Sequence, residues 1–232
     1  MNFKSTILIF LVSAILIVIF WNCKKESATN YPTNSSTTVT DIDGNVYHTV
    51  TIGTQTWMVE NLKTTKYRNG DPIPNVTANA SWAALTSGTY CWYNNDAATY
   101  KSSYGALYNW NAVADSRKIA PIGWHVPTDA EWATLTDYLG GLSVAGGKLK
   151  DLAHWQTPNT GATNSTGFTA LPGGDRNYDG AFFDSGSGGY WWTSTEYSAA
   201  NAWHWSMIYD YGVVSRGYYL KVLGFSVRCL RD

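Results

Sequence analysis

The chain has 232 residues, a length that suits one globular domain plus an N-terminal export segment. Its net charge of −1 excludes the basic surface that is typical of nucleic-acid-binding proteins. Aromatic residues make up 15% of the sequence and charged residues only 14%, a balance that predicts a loop-rich extracytoplasmic domain rather than a Lys/Glu-rich helical one.

The N-terminus has the pattern of a bacterial lipoprotein signal. Lys4 supplies the positive charge, Ile7 to Trp21 form a nearly continuous apolar run, and Cys23 follows two residues later. This pattern predicts a signal peptide over residues 1–22 and lipidation of Cys23. Residues 20–22 (FWN) are larger than usual before such a cysteine, so an uncleaved anchor is the alternative. The apolar run is, however, short of the roughly 20 residues that a spanning helix needs.

Residues 23–40 predict a flexible tether. The segment from Thr29 to Thr40 (TNYPTNSSTTVT) is polar and rich in Ser, Thr and Asn, a composition typical of linkers. We therefore expect a membrane partner through the lipid on Cys23, and a location in the cell envelope, at the outer membrane or cell surface. The globular domain is expected over residues 41–232.

The domain begins with predicted strands and a helix. Asp41 to Met58 alternates between two faces and contains two turn signals, Asp43-Gly44 and Ile52-Gly53, which predicts a meander of two or three strands. Aromatic and aliphatic residues then recur at helical spacing over Tyr104 to Val113, which predicts the first helix.

The strongest helix start in the sequence lies at Thr128. Glu131 follows three residues later, so the two side chains can form a capping box, and Asp129 places negative charge in the first turn. An apolar stripe begins at Trp132, and Gly140-Gly141 marks the helix end, since glycine adopts the left-handed conformation without steric cost.

From Gly161 onward the sequence predicts turns and short strands. The strand candidates are Phe168 to Leu171, Tyr190 to Ser194, Ala202 to Tyr209, Val213 to Leu220 and Phe225 to Leu230. Two early helices and a strand-rich second half predict an α+β domain.

Three cysteines are present. If Cys23 carries lipid, Cys91 and Cys229 remain as a pair in an oxidising compartment, which predicts a disulfide between them. Two buried free thiols would give the same sequence pattern.

Several motifs in the domain resemble one family. They are DIDGNVYHTVTIGTQTWMVENLKTTKYRNG from Asp41, YCWYNND from Tyr90, YGALYNWNAV from Tyr104, GWHVPTDAEW from Gly123, TNSTGFTALPGGDRNYDGAF from Thr163, WWTSTE from Trp191 and GFSVRCLRD from Gly224. In this order they closely resemble the Fibrobacter succinogenes major paralogous domain of bacterial surface lipoproteins.

That resemblance implies a C-type-lectin-like fold, with two helices packed on short twisted antiparallel sheets and long loops. Formylglycine-generating enzymes share this fold and use a cysteine pair in its second half, but residues 191–210 contain no cysteine, so their activity is not implied. Many family members carry a cysteine where this chain has Ala120, which leaves Cys91 as the available partner of Cys229.

One segment matches the first half of a calcium-binding loop. Asp175, Asn177 and Asp179 alternate before Gly180, and their oxygens could converge on a hard cation. Gly186 stands where the loop would need its final Glu, so only weak calcium binding is expected. The favoured alternative is a polar turn held by Asn and Asp side chains.

The sequence favours a non-catalytic ligand-binding module, with glycans as one ligand class. No HExxH motif, nucleophile elbow or P-loop occurs, and the four His lack metal-ligand spacing. The expected binding surface is formed by the late loops of Gly173 to Glu196, with Arg176, Tyr178, Phe182, Trp191 and Trp192 as its candidate ligand-binding residues. Gly173 to Gly189 is predicted to be one long Gly/Asp/Ser-rich loop, whose composition leaves Arg176, Tyr178 and Phe182 exposed. Trp191 and Trp192 adjoin each other, so in a strand they would point to opposite faces and only one need be buried. A structural or adhesive protein-interaction domain is the alternative, and an enzyme comes third.

The aromatic residues of one further predicted strand could belong either to the core or to a binding surface. Trp203, Trp205, Met207, Tyr209 and Tyr211 share one face of a predicted strand. A core face is favoured for most of them, and a sugar-stacking platform is the alternative.

Overall fold

The computed structural model describes residues 37–232. The predicted signal peptide, the lipidation site Cys23 and the tether as far as residue 36 lie outside the described residues. The end of the predicted tether is part of the domain, because Thr38–Thr40 form a strand that pairs antiparallel with Val46–Ile52.

The described elements are short. The strands are β1 Thr38–Thr40, β2 Val46–Ile52, β3 Gln55–Met58, β4 Tyr90–Cys91, β5 Leu107–Tyr108, β6 Trp124–His125, β7 Gly173–Arg176, β8 Phe182–Ser185, β9 Gly188–Glu196, β10 Asn201–Ile208, β11 Ser215–Leu220 and β12 Leu230–Arg231. The helices are α1 Asn79–Ala83, α2 Ala97–Tyr104, α3 Trp110–Val113, α4 Asp129–Tyr138 and α5 Leu142–Leu149, with a 3-10 turn at Tyr93–Asn95.

Two five-stranded sheets dominate the fold, each curled into a half-barrel. The strand order is β1-β2-β3-β12-β6 in the first sheet and β11-β10-β9-β7-β8 in the second, and β4 and β5 form a separate two-stranded ribbon. Neighbouring strands are antiparallel except β7 and β9, which meet in parallel at Gly174 and Gly189. The closing segment, residues 221–229 between β11 and β12, joins the ribbon to the second sheet, since Phe225 bridges to Tyr108 and Ser226 bridges to Trp191.

The predicted C-type-lectin-like α+β fold with two main helices is therefore wrong, since the domain is mostly β with 19% helical content. The first predicted helix, Tyr104 to Val113, is broken by β5. Gly105 has φ 75°, which ends α2, and a Cβ at this position would lie 2.8 Å from the carbonyl oxygen of Leu62. No helix among residues 37–232 combines the length and apolar character needed to cross a membrane.

The second predicted helix is confirmed as α4. Thr128 Oγ1 accepts a hydrogen bond from the Glu131 backbone N–H at 3.2 Å, and Glu131 Oε2 accepts from the Thr128 N–H at 2.7 Å. Such a cap contributes about 1 kcal/mol to helix stability. Gly140 and Gly141 follow the helix with φ 99° and 94°, as the sequence predicted.

In the second half, three predicted strands are confirmed as β9, β10 and β11. Phe168 to Leu171 and most of Phe225 to Leu230 instead run as connecting segments with isolated bridges. They are nevertheless buried in the core, because they pass between elements rather than along the edge of a sheet.

Helix α4 is held to both sheets by a cluster of tryptophans. Trp132 stacks on Trp205 of β10 with ring centroids 5.9 Å apart, and also lies 5.0 Å from Trp57 of β3 and 6.1 Å from Trp191 of β9. All four indoles are at most 1% exposed. Large buried aromatic pairs of this kind supply much of the energy of a core, so the two sheets and α4 form one packed unit.

Candidate functional site

A pocket of about 200 Å³ opens between the β7–β8 hairpin, β9, the end of β11 and the closing segment. The residues that line it are Asp175, Asn177, Phe183, Asp184, Tyr190, Tyr219, Leu223 and Phe225. The pocket falls largely within the stretch Gly173 to Glu196 that the sequence marked as a binding surface. That stretch is not the predicted long loop, because its residues form β7, β8 and β9.

The β7–β8 hairpin places two carboxylates at the pocket. Asp175 of β7 lies opposite Phe183 of β8, and Asp184 follows with φ 63°, an uncommon conformation for a residue other than glycine. Gly174 allows the strands to approach, since a Cβ there would lie 2.3 Å from the Phe183 carbonyl oxygen. The Asp184 carboxylate accepts a hydrogen bond from the Tyr190 hydroxyl at 2.6 Å.

Asp175 is unusual among the acidic residues. Its side chain is buried, with 8% of the residue exposed, and it accepts no hydrogen bond from any residue in the described range. Burial, together with the negative charge of Asp184, raises the pKa of Asp175 to about 7. The pocket therefore contains a carboxylate that receives no hydrogen bond from residues 37–232.

The pocket walls are aromatic. The rings of Tyr190 and Phe225 stack with centroids 5.2 Å apart and an interplanar angle of 19°. Tyr219 and Phe183 are 50% and 48% exposed, so their rings remain available to a ligand. Behind this wall lies the imidazole of His204, 5.2 Å from the Phe225 ring, whose pKa burial lowers to about 4.

A second pocket, of about 340 Å³, is lined by Arg68, Asp115 and His125, whose polar groups already have partners within the protein. Arg68 donates to three backbone carbonyls, Asp115 pairs with Arg117, and His125 lies between the carboxylates of Glu131 and Asp232. Polar side chains that already have partners gain less from a ligand than an unpaired one does. We therefore place the candidate site at the pocket that contains Asp175.

Arg176 was predicted to be an exposed ligand-binding residue, and this prediction of exposure is wrong. It is fully buried, and its guanidinium donates to the carbonyl oxygens of Gly180, Val76 and Thr77 at 2.9, 2.6 and 2.7 Å. The group also lies 4.3 Å from the Trp82 ring. Arg176 therefore links the β7–β8 hairpin to the segment before α1. Because neighbouring residues of a strand point to opposite faces, its side chain lies on the face of β7 opposite to that of Asp175.

The other predicted binding residues differ in their exposure. Trp191 and Trp192 point to opposite faces of β9, as expected, but both are fully buried, because α4 covers one face and the closing segment covers the other. Phe182 packs 5.3 Å from the ring of Tyr93. Tyr178 is 55% exposed but does not line the pocket.

The predicted calcium loop is a hairpin turn. Asn177 Oδ1 accepts from the Tyr178 N–H and Asp179 Oδ1 accepts from the Ala181 N–H, so these oxygens hold the turn. Asp175, by contrast, lies on β7 and lines the pocket. Within residues 37–232 there is no group of three or more His, Cys, Asp or Glu side chains that could hold a metal ion. This geometry agrees with the polar-turn alternative.

The predicted Cys91–Cys229 disulfide is not present, and both thiols are free and buried in the described chain. Cys91 belongs to a small cluster with Trp82 and Leu107, whereas Cys229 belongs to the large cluster that also contains Ala120. Burial raises the pKa of Cys91 to about 12 and also raises that of Cys229. Each cysteine therefore behaves as a small core residue.

The core interpretation of the aromatic face holds for Trp205 and Met207 of β10, and in part for Tyr209, which is half-buried against the same core. Trp205 and Met207 are each 1% exposed. Trp203 is half-buried beneath the guanidinium of Arg216, 3.6 Å away, while Tyr211 at the far end is 58% exposed.

Sequence reasoning missed three of the five polar residues that line the pocket: Asp184, Tyr190 and Tyr219. They come from three different strands, β8, β9 and β11, and no local spacing links them. Tyr190 and Tyr219 lie on the same face of the second sheet, on strands that β10 separates, and this arrangement depends on strand pairing that the sequence did not indicate.

Comparison of the chain with curated proteins and with solved structures found no match. A family model does match, over residues 50–231, and its description is the Fibrobacter succinogenes major domain. The matched range extends from β2 to β12 and includes the whole pocket. The protein therefore belongs to the Fibrobacter succinogenes major domain family.

Proposed function

We propose that this protein is a non-catalytic ligand-binding module of the cell envelope. The observation that supports this proposal is the pocket at the β7–β8 hairpin, which combines a buried, unpaired Asp175 with exposed aromatic rings. A concave site with aromatic walls and a few polar groups is typical of small-ligand recognition.

Glycans are the ligand class that we propose first. Carboxylate and amide oxygens, such as those of Asp184 and Asn177, accept hydrogen bonds from sugar hydroxyls. Exposed rings such as Tyr219 offer flat faces for the C–H surfaces of a sugar.

The binding test uses the full-length protein in a non-ionic detergent, screened against soluble glycans and polysaccharides with and without calcium. We expect saturable binding, and we expect Tyr219→Ala to weaken it at least about tenfold, the loss of about 1.4 kcal/mol that an aromatic contact supplies. Tyr211→Ala is the control, because Tyr211 is similarly exposed but does not line the pocket. Equal loss in both variants, or in neither, would place the site elsewhere.

The second part of the proposal is the anchor. A lipid on Cys23 would hold the domain at the outer membrane or cell surface, and its support is the Lys4, apolar-run and cysteine pattern of the N-terminus. Expressed in its host, the wild type should incorporate an acyl label and Cys23→Ala should not. Membrane retention of an unlabelled wild type would favour an uncleaved anchor instead.

A structural or adhesive interaction domain is the second candidate function. Its support is β11, the outer strand of the second sheet, whose free edge could pair with another chain. Tyr218 of β11 stacks on Tyr197 with centroids 3.8 Å apart, and both rings are nearly half exposed. A glycan screen without hits, together with capture of a partner that Tyr218→Ala weakens, would favour this alternative.

A further inference from the structure

The two other carboxylates that are buried to the same degree show why Asp175 stands apart. Asp41 is 7% exposed and accepts hydrogen bonds from two backbone N–H groups, from Asn45 and from the Tyr47 hydroxyl. Asp129 is 9% exposed and binds the Arg216 guanidinium and the Trp205 indole N–H. Asp175 has neither a cation nor a donor in the described chain.

The carboxylate oxygens of Asp175 are not among the fully buried side-chain atoms that lack a partner in the described chain, so they open onto the pocket, where only solvent or a ligand can be their partner. Because the Asp175 carboxylate lines the pocket, a ligand can reach it and supply the missing partner. The chemistry of that partner follows from the charges around it.

The charges at the pocket are all of one sign. Asp175 and Asp184 both line it, and no Lys, Arg or His side chain does so among the residues described. The nearest arginine in sequence, Arg176, directs its guanidinium to Val76, Thr77 and Gly180 instead. Two carboxylates at one site repel each other, which raises the pKa of one of them, and a bound cation would relieve the same repulsion.

The walls are also suited to a cation. The faces of aromatic rings attract ammonium groups, and ring clusters beside carboxylates are a recurring way to bind organic cations. Here the half-exposed rings of Phe183 and Tyr219 line the pocket together with Tyr190, on whose ring the buried Phe225 stacks. The volume of about 200 Å³ is smaller than the roughly 300 Å³ at which pockets for drug-sized ligands begin, so it admits one functional group and its near neighbours.

We propose that the pocket binds a protonated amine, with Asp175 and Asp184 as its anionic partners and the aromatic rings as its walls. This inference rests on the proposed ligand-binding function and names the chemical group that the site recognises. The amine could belong to an amino sugar or to a lysine side chain, and the experiment below separates these sources.

The protonation of Asp175 provides a second test of this proposal, through the pH dependence of binding. With a pKa of about 7, Asp175 is partly protonated in the free protein at neutral pH, whereas a bound ammonium favours its ionised form. Binding of a lysine-type amine, which stays protonated throughout this range, should therefore strengthen as pH rises from 6 to 8. The titratable groups that face Asp175 are Asp184 of β8, Tyr190 of β9 and Tyr93 of the 3-10 turn, and burial raises the pKa of both tyrosines.

The test is calorimetric titration of the full-length protein in non-ionic detergent with three probes. They are glucosamine, its uncharged analogue N-acetylglucosamine, and Nα-acetyl-lysine amide. We expect glucosamine or the lysine derivative to bind at least about tenfold more tightly than N-acetylglucosamine, which is a difference of about 1.4 kcal/mol in binding free energy. Asp175→Asn should remove this preference, because it keeps the side-chain shape and removes the charge.

The matched control is Asp179→Asn, because Asp179 is exposed in the hairpin turn and does not line the pocket. Its amide keeps the oxygen that accepts from the Ala181 N–H, so binding should be unchanged. Melting temperatures of both variants show whether the fold is intact. If Asp175→Asn fails to fold, the pH dependence of amine binding to the wild type tests the proposal instead.

The outcomes separate the proposals. Preference for glucosamine identifies an amino sugar, and preference for the lysine derivative identifies a protein ligand, which would support the amine and overturn the glycan class. Equal binding of glucosamine and N-acetylglucosamine, unaffected by Asp175→Asn, would overturn the amine while leaving a glycan-binding module. Stabilisation by calcium chloride alone, lost in Asp175→Asn, would mean that the pocket holds a metal ion rather than an amine.

Discussion

Arg176→Ala is expected to destabilise the folded domain by about 3 kcal/mol or more, because it removes a fully buried side chain and leaves one buried and two partly buried acceptors without their donor, at a cost of about 1–3 kcal/mol for a buried group. The acceptors are the carbonyl oxygens of Val76, Thr77 and Gly180. The substitution would also leave a cavity beside the Trp82 ring. Urea unfolding of the purified variants measures this effect.

Two variants serve as controls for Arg176. Tyr178→Ala, two residues away and 55% exposed, should change the free energy of unfolding by no more than about 0.5 kcal/mol. Arg176→Lys should recover only part of the stability, since lysine keeps the charge but lacks the planar set of donors. An Arg176→Ala protein as stable as the wild type would mean that this side chain is a surface residue, as its sequence context suggested.

The second large effect is acid destabilisation through His204. Burial lowers its pKa from 6.5 to about 4, so the unfolded chain takes up a proton below pH 6.5 that the folded protein does not accept until about pH 4. The folded state therefore loses stability as pH falls through this window, by up to about 3 kcal/mol.

Asp175 has the opposite effect on the pH dependence of stability, over an overlapping pH range. Its folded pKa of about 7 exceeds its ordinary value of 3.8, so the folded protein holds a proton that the unfolded chain releases, and stability rises as pH falls towards 4. The wild-type curve therefore contains two opposed contributions. Variants are needed to separate them.

Unfolding of wild type, His204→Gln and Asp175→Asn should be compared at pH 7.5, 6 and 4.5. We expect His204→Gln to gain stability relative to wild type as pH falls, and Asp175→Asn to lose it. The quantity to compare is how steeply the free energy of unfolding changes with pH, because His204→Gln also loses packing against the Tyr219 and Phe225 rings at every pH. Parallel curves for wild type and His204→Gln would show that His204 titrates normally in the folded protein.

Some elements of this protein follow from local sequence alone. The capping box of α4 involves residues three apart, so the helix start at Thr128 could be predicted without any knowledge of the fold. The strand β10 follows similarly from the alternation of Trp203, Trp205 and Met207, and β9 and β11 follow from short aromatic-rich runs between turn signals.

Patterns that depend on distant partners could not be interpreted in the same way. The D-x-N-x-D-G motif identified a turn rich in oxygens, but whether these oxygens face a ligand or their own backbone depends on how β7 and β8 pair. Trp191 and Trp192 followed the expected alternation, but the sequence did not show that β9 would be covered on both faces.

The sequence by itself determined the family, the capped helix and the strands of the second half, because each depends on residues that are close along the chain or on motifs in a fixed order. The tertiary structure alone decided that Arg176 is buried, since its partner Val76 is 100 residues away. It also decided the pocket, whose carboxylates and rings come from separate strands and from the closing segment. The physical reason is that burial and charge pairing depend on long-range contacts, which local patterns do not encode.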